Sequence, residues 1–260
     1  MLNLVDFTGK KIIVAGASSG IGKCTALTLA RYGAQVIMIA RRKDKLEETL
    51  QEIREYTDGK GGVYYPADLS EVDGIAELVK RIADANGAVD GLVYCAGVGG
   101  ARPMAQYSYD KLLETMNINY FGFVETVRQV TKKGRYNRGM RIVGISSVAA
   151  LFGDGGHLAY SGSKAAMNGS ARCMAYELAA KGIALNTIAP SMVKTEMFGH
   201  YLANYGEDSE SYRDLIARQY LGLAEVQDAA NLIAFLASSA SDGITGACIP
   251  IDGGYSTFLF

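Results

Sequence analysis

Short apolar runs alternate along the chain with longer stretches in which apolar residues recur every three or four positions. Lys11-Ile12-Ile13-Val14-Ala15 is the first apolar run, and it opens directly into Gly16-Ala17-Ser18-Ser19-Gly20-Ile21-Gly22. A helical stretch follows to Tyr32 and stops at Gly33, since glycine just past the last periodic residue is a helix-end signal. Gln35–Ala40 is a second apolar run, and Lys43–Tyr56 is charged and periodic, which predicts a surface helix. Gly62–Pro66 reads as a short strand, Val72–Asn86 as a helix ending at Gly87, and Val89–Tyr94 as a strand. Tyr109–Lys133 predicts one long helix, Arg141–Ile145 a strand, His157–Lys181 a helix closed by Gly182, and Ile183–Ala189 a strand. Glu225–Leu236 predicts a helix and Ala247–Ile251 a last strand. Continuous apolar strands alternating with helices predict a parallel sheet covered on both faces, the doubly wound α/β architecture. No Pro/Ser-rich linker, repeat or low-complexity tract interrupts it, so residues 1–260 are expected to form a single domain. The segment 195–223 lacks a clear period and carries Phe198, His200, Tyr201, Tyr205, Tyr212 and Tyr220. A long irregular segment rich in aromatics is expected to be a substrate lid.

Charge and composition remove several classes of function. The 26 Lys and Arg nearly balance 27 Asp and Glu, for a net charge of -1. A nucleic-acid binder neutralises phosphates with excess cations, and a membrane-surface protein carries a polybasic patch, so neither is expected. No run of 18 apolar residues predicts a membrane span, and the first ten residues lack the apolar core of a secretory signal. Four cysteines stand far apart with no CxxC pair. That pattern fits a reducing, cytoplasmic setting and not a disulfide framework or zinc site. Glycine is in excess, at 31 of 260 residues, which suggests tight turns and close backbone approaches.

The first glycine cluster follows a strand and opens a helix, the context a phosphate-binding loop requires. Its spacing is GxxxGxG; an ordinary strand–helix turn is the alternative, but the first βα junction is where a Rossmann-type fold binds a dinucleotide. At the end of the second strand such folds place an acid for a ribose 2′-hydroxyl or an arginine for a 2′-phosphate. Arg41 and Arg42 stand here, with Arg41 19 residues beyond Gly22, and guanidinium forks suit phosphate oxygens. NADP(H) is therefore expected over NAD(H). Asp68, at the end of the third strand, is open to two readings: an acceptor for the adenine amino group, or an acid at a helix start.

Tyr160-Ser161-Gly162-Ser163-Lys164 sets a phenol and an ammonium four residues apart, on one face of a helix. A nearby ammonium favours phenolate and would lower the phenol's pKa from near 10 toward working pH. Such a phenol serves as general acid to a carbonyl oxygen or base to an alcohol. Taken alone, YxxxK is equally an ordinary pair on a solvated face. In order along the chain, however, GASSGIG, Asp68, Cys95-Ala96-Gly97, Asn119, Ser147, Tyr160, Lys164 and Pro190–Thr195 resemble the short-chain dehydrogenase/reductase family. The resemblance covers essentially the whole chain and looks closest to 3-oxoacyl-(acyl-carrier-protein) reductases.

That resemblance implies roles. Ser147 binds the substrate oxygen, with Ser146 the competing candidate. Tyr160 transfers the proton. Lys164 holds the nicotinamide ribose and tunes Tyr160. Asn119 anchors a water that links Lys164 to solvent. Gly16, Ser18, Ser19, Gly20, Ile21 and Gly22 would cradle the pyrophosphate. Asp68, Leu69, Cys95, Ala96 and Gly97 would line the adenosine side, and Val193 and Thr195 would hold the carboxamide. The substrate implied is a 3-oxoacyl thioester, free or carried on acyl-carrier protein, with a steroid, sugar-derived or other secondary alcohol as the alternative and a non-catalytic NADP sensor as a third reading. A homotetramer, or a dimer, is expected through the outer faces of the two long helices. Arg138 and Lys181 match basic carrier-docking positions, although a Lys before Gly182 also complements a helix dipole.

Three departures from the family pattern stand out. Asn-Asn-Ala-Gly is replaced by Tyr94-Cys95-Ala96-Gly97, Pro-Gly by Pro190-Ser191, and the Gly-Arg before the last helix by Leu221-Gly222-Leu223. His157 and His200 are expected to be surface or helix-start residues, and Cys95 a small buried side chain rather than a nucleophile.

Overall fold

The structure, a computed structural model, describes residues 5–57, 61–153, 155–206 and 208–259. Strands β1 (Lys11–Ala15), β2 (Gln35–Ala40), β3 (Gly62–Pro66), β4 (Val89–Tyr94), β5 (Tyr136–Ile145), β6 (Ala184–Pro190) and β7 (Cys248–Ile251) form one sheet. Their order is β3-β2-β1-β4-β5-β6-β7, and every pairing is parallel. Side chains alternate across a strand, so each strand feeds two cores. Ile12 and Val14 enter one apolar cluster and Ile13 and Ala15 the other. Helices α1 (Gly20–Arg31), α2 (Lys43–Glu55) and α9 (Val226–Ala237) cover the first cluster. Helices α3 (Ile75–Asn86), α5 (Gly122–Val130) and α6 (Leu158–Ala179) cover the second. Burying each central Ile or Leu contributes about 1.5–3 kcal/mol, so the doubly covered sheet is the rigid part of the molecule.

Chain order reverses beside β1, which pairs with β2 on one side and β4 on the other. Ligands of open α/β sheets bind outside the strand C-termini at such a switch point. The loops after β1, β4, β5 and β6 all emerge at this crest, and they carry Gly16–Gly22, Cys95–Gly97, Ser146–Ser147 and Pro190–Thr195.

Three elements differ from the sequence reading, and the first is β5, which begins at Tyr136 instead of the expected Arg141. The expected long helix over 109–133 is α4 (Tyr109–Met116), a π-turn (Asn117–Phe121) and α5. A π-turn adds about one residue to a single turn, a phase shift small enough to pass within apolar spacings of three and four. The expected irregular segment 195–223 instead contains α7 (Glu196–Tyr205) and α8 (Glu210–Arg218). Side-chain oxygens start both: Thr195 accepts from the Phe198 amide at 3.3 Å and Ser209 from the Tyr212 amide at 3.2 Å. Such caps offset the orphan amides of a first turn, and they were legible as Thr195-Glu196 and Ser209-Glu210. The side chains of His200, Tyr201 and Tyr205, expected in the lid, lie outside the described set.

Candidate active site

The glycine loop is held by contacts that leave no room for side chains. A Cβ on Gly16 would lie 2.6 Å from the Ala96 nitrogen, and one on Gly22 2.2 Å from the Gly16 oxygen. The first packs the loop against the end of β4; the second lets α1 start directly under the turn. Ser19 precedes α1 in extended conformation and makes no side-chain cap. The first amides of α1 are thus free of a capping oxygen, and their partial positive charge faces the crest. This cradle fits a pyrophosphate. Ile21 packs partly against the first core.

The two arginines differ in their partners. Arg42 donates to Ser19 Oγ at 2.7 Å and Ser18 Oγ at 3.3 Å, and its other terminal nitrogen lies 3.4 Å from Glu196 at the start of α7. Arg41 lies 3.6 Å from Asp68. Asp68 also accepts from the Ser70 amide at 2.9 Å and hydroxyl at 2.7 Å. Burial pushes the Asp68 carboxyl up, but the Ser70 donors and Arg41 together outweigh it and hold it below the usual range. Of the two readings of Asp68, its Oδ1 therefore serves the local turn and its Oδ2 faces Arg41. The residues present fit a phosphorylated dinucleotide: an uncapped helix start, two hydroxyls and two cations meet at one edge.

On the other side of β1 the crest becomes buried. Ser147 stands two residues past the end of β5, and Tyr160 and Lys164 project from the first turns of α6. The Ser147 hydroxyl reaches the Tyr160 phenol, accepts from the Ala149 amide at 3.1 Å and lies 3.4 Å from the Pro190 carbonyl. Ser146 is turned away, its hydroxyl 3.4 Å from the Lys164 carbonyl inside the core. This places Ser147, not Ser146, beside the phenol. Lys164 donates to the Ile145 carbonyl at 2.6 Å, and its ammonium sits 5.8 Å from the centre of the Tyr160 ring. A Cβ on Gly97 would lie 3.4 Å from the Lys164 Nζ and 3.0 Å from the Asn119 Oδ1. Asn119, within the π-turn, accepts from the Val98 amide at 2.8 Å and donates to the Val98 carbonyl and the Ser163 hydroxyl, both at 2.9 Å. Ser163 was not singled out from the sequence; its place in Tyr-Ser-Gly-Ser-Lys was the available signal. It donates in turn to the Tyr160 carbonyl at 2.7 Å.

The electrostatics correct one expectation. Burial raises the Tyr160 phenol above its ordinary pKa, and only the Ser147 hydrogen bond opposes it. Lys164 does not lower it. Instead, burial brings Lys164 down to about 8. With the ammonium spent on a backbone carbonyl and 4 % of the residue exposed, desolvation outweighs attraction between the pair. A neutral phenol beside Ser147 is placed to give its proton to an alkoxide forming there, the role of a general acid.

Other predicted positions sort by burial. Leu69 and Val193 are buried at 3 % and 5 % exposure. Val193 pairs with Ala224, and Thr195 packs on the glycine loop, its Cγ2 3.3 Å from where a Cβ of Gly20 would stand. Cys95 is half-buried against the first core, and desolvation pushes its thiol up to about 12, the behaviour of an inert small side chain. His157 stands edge-on to Tyr160 with ring centres 6.5 Å apart. Arg138 and Lys181 are exposed at the other end of β5 from Ser147. Among the described residues no group of His, Cys, Asp and Glu could hold a metal ion, and no helix is long and apolar enough to cross a membrane.

Comparison with known proteins agrees with this geometry. Residues 16–256 match the family profile described as enoyl-(acyl carrier protein) reductase. The chain is 32 % identical over 253 residues to L-xylulose reductase of Caenorhabditis elegans, covering 96 % of this chain and 97 % of that one. It is also 32 % identical over 256 residues to the 3-oxoacyl-[acyl-carrier-protein] reductase FabG of Escherichia coli, covering 96 % and 98 %. A putative NAD(P)-dependent gluconate 5-dehydrogenase from Beutenbergia cavernae, solved with bound NADP, superposes with a TM-score of 0.88 at 30 % identity, covering 97 % and 98 %. With the uncapped glycine-loop helix on one side of β1 and the Ser147–Tyr160–Lys164 cluster on the other, the chain belongs to the short-chain dehydrogenase/reductase family of oxidoreductases.

Proposed function

We propose that the chain is an NADP(H)-dependent oxidoreductase acting between a ketone and a secondary alcohol, with Tyr160 as the proton carrier. The observation that carries this reading is the meeting of Ser147, Tyr160 and Lys164 beside Gly97, at the crest that also holds the glycine loop. When bound, the nicotinamide supplies or accepts the hydride. The chain's own residues do the rest. Gly16, Ser18, Ser19, Gly20, Ile21 and Gly22 bind the pyrophosphate, and Arg41 and Arg42 take the 2′-phosphate. Asp68, Leu69, Cys95 and Ala96 flank the adenosine, and Val193 and Thr195 face the carboxamide. Ser147 donates to the substrate oxygen and Tyr160 delivers the proton to it. Lys164, with a pKa of about 8, carries charge at neutral pH and holds the ribose. Asn119 fixes the Gly97–Val98 backbone and supports water access to Lys164.

Tyr160 can give its proton to a forming alkoxide or take one from an alcohol, and carbonyl reduction is the direction we assign. The substrate class we assign is a 3-oxoacyl thioester, supported by the likeness to the Escherichia coli reductase. A sugar-derived ketone is the second reading, supported at equal identity by the likeness to L-xylulose reductase. Arg138 and Lys181, exposed at the other end of β5 from Ser147, carry no part of the substrate assignment. Consumption of reduced cofactor with acetoacetyl thioesters and with xylulose separates the two. Turnover of xylulose alone would overturn the thioester assignment, and binding of NADPH without turnover of any ketone would leave the sensor reading.

In the same proposal residues 1–260 work as one cytoplasmic catalytic unit, with 195–223 acting as the substrate lid. Tyr109 on α4 and Tyr176 on α6 are 75 % and 87 % exposed, which supports assembly through those outer faces as a dimer or tetramer, readable by light scattering.

A further inference from the structure

The family's strand-end asparagine is absent here, and Tyr94 stands in its place at the end of β4. Its side chain is fully buried at 0 % exposure and points into the second core, its ring edge-on to Phe123 with centres 5.5 Å apart. A phenol so deep in apolar surroundings needs a partner. It has one: the hydroxyl donates to the Ile118 carbonyl at 2.7 Å. Ile118 lies in the π-turn Asn117–Phe121, one residue before Asn119. The space for this hydroxyl exists because residue 122 is glycine; a Cβ there would lie 2.5 Å from it. Asn119 then grips the Val98 amide and carbonyl and the Ser163 hydroxyl, and Gly97, next to Val98, borders both the Asn119 oxygen and the Lys164 ammonium.

We propose that Tyr94 is a positioning residue for the proton-transfer site, fixing the π-turn through the Ile118 carbonyl so that Asn119 holds the Gly97–Val98 backbone against Lys164. This rests on the reading of Asn119 as part of that site. The bond ties the turn to the end of β4, and without it the turn is free to relax toward a tighter helix and rotate Asn119.

Tyr94→Phe tests it, because phenylalanine keeps the ring against Phe123 and removes only the hydroxyl. The expected result is a fall in kcat of about five- to tenfold, with KM for NADPH unchanged within twofold and faster amide hydrogen exchange over residues 117–122. Combined with Asn119→Ala, the loss should be clearly smaller than the product of the two single losses, because both act through one group. Phe123→Leu loosens the same core but keeps the hydroxyl bond, and should lower the melting temperature while leaving kcat unchanged. Wild-type kcat in Tyr94→Phe, fully multiplicative losses with Asn119→Ala, or an equal kcat loss in Phe123→Leu would each overturn the proposal. If Tyr94→Phe does not fold, unchanged kcat in the destabilised Phe123→Leu still supports it and a matching kcat loss overturns it. Full activity in Asn119→Ala alone would instead overturn the reading of Asn119.

Discussion

Lys164 is 4 % exposed, whereas the side chain of Arg41, on the far side of β1, is 68 % exposed. Both are cations at one crest of one sheet, yet different physics governs them. At the buried end, around Ser147, Tyr160 and Lys164, desolvation is the leading influence on each titrating group: it raises the phenol and lowers the amine. At the open end, water screens each charge, and Arg41 and Arg42 meet carboxylates at 3.6 and 3.4 Å in exposed pairs. Such pairs contribute about 0–1 kcal/mol each. The buried end is therefore set by packing and the open end by which charges happen to be present. Substitutions at the first should move chemistry and stability, and substitutions at the second should move only the choice of cofactor.

The largest effect is expected at Tyr160. Tyr160→Phe should lower kcat about 10²- to 10⁴-fold, the usual worth of a positioned acid, with NADPH affinity by fluorescence titration nearly unchanged. Full activity in that variant would remove the phenol from the reaction.

Next comes Lys164. Its folded pKa of about 8 lies below its ordinary value of 10.5. The unfolded chain therefore binds more protons between those values, and the charged amine costs the fold stability that is regained as pH rises from 8 to 10.5. The penalty is complete below pH 8 and amounts to about 3 kcal/mol at about 1.4 kcal/mol per pKa unit. Cofactor-free Lys164→Met should accordingly melt higher than the parent at pH 7, with the gap narrowing toward pH 10. A gap that is absent or that widens would show the amine to be better solvated than its burial implies.

Arg42→Ala should weaken NADPH about 10- to 100-fold and NADH little, as expected for removing a charge-assisted pair to phosphate. The wild-type preference should shrink with salt, because exposed charges are screened within about 10 Å at 0.1 M. Equal weakening of both cofactors would defeat the 2′-phosphate assignment.

The smallest effect belongs to Glu196, which shares Arg42 with Ser18 and Ser19. Glu196→Gln should tighten NADPH about two- to fivefold by removing a competing carboxylate, within the range for exposed pairs. No change in calorimetric affinity would mean that the pair carries no weight.

The sequence on its own was enough for the order of the strands, for the glycines at the first strand–helix junction and for two arginines at the end of β2. Each of these is local: an apolar run of the right length, glycines at a strand–helix junction, cations at a strand end. Burial then follows from the α/β pattern, because a strand apolar at every position must be covered on both faces. Tyr160 and Lys164 could be paired from their spacing, but not the sign of the phenol's shift. That sign depends on how much water the folded helices and loops exclude from the phenol, which outweighs the Ser147 hydrogen bond. Ser147 could be preferred to Ser146 only provisionally, since the choice turns on which hydroxyl faces α6 and which faces the Tyr160 phenol. The caps that start α7 and α8 are local signals, but folding alone decided that a π-turn interrupts residues 109–133 and that Tyr94 reaches Ile118 across 24 positions of chain. Those outcomes depend on contacts between distant segments, and neither the period nor the composition of either segment encodes its partner.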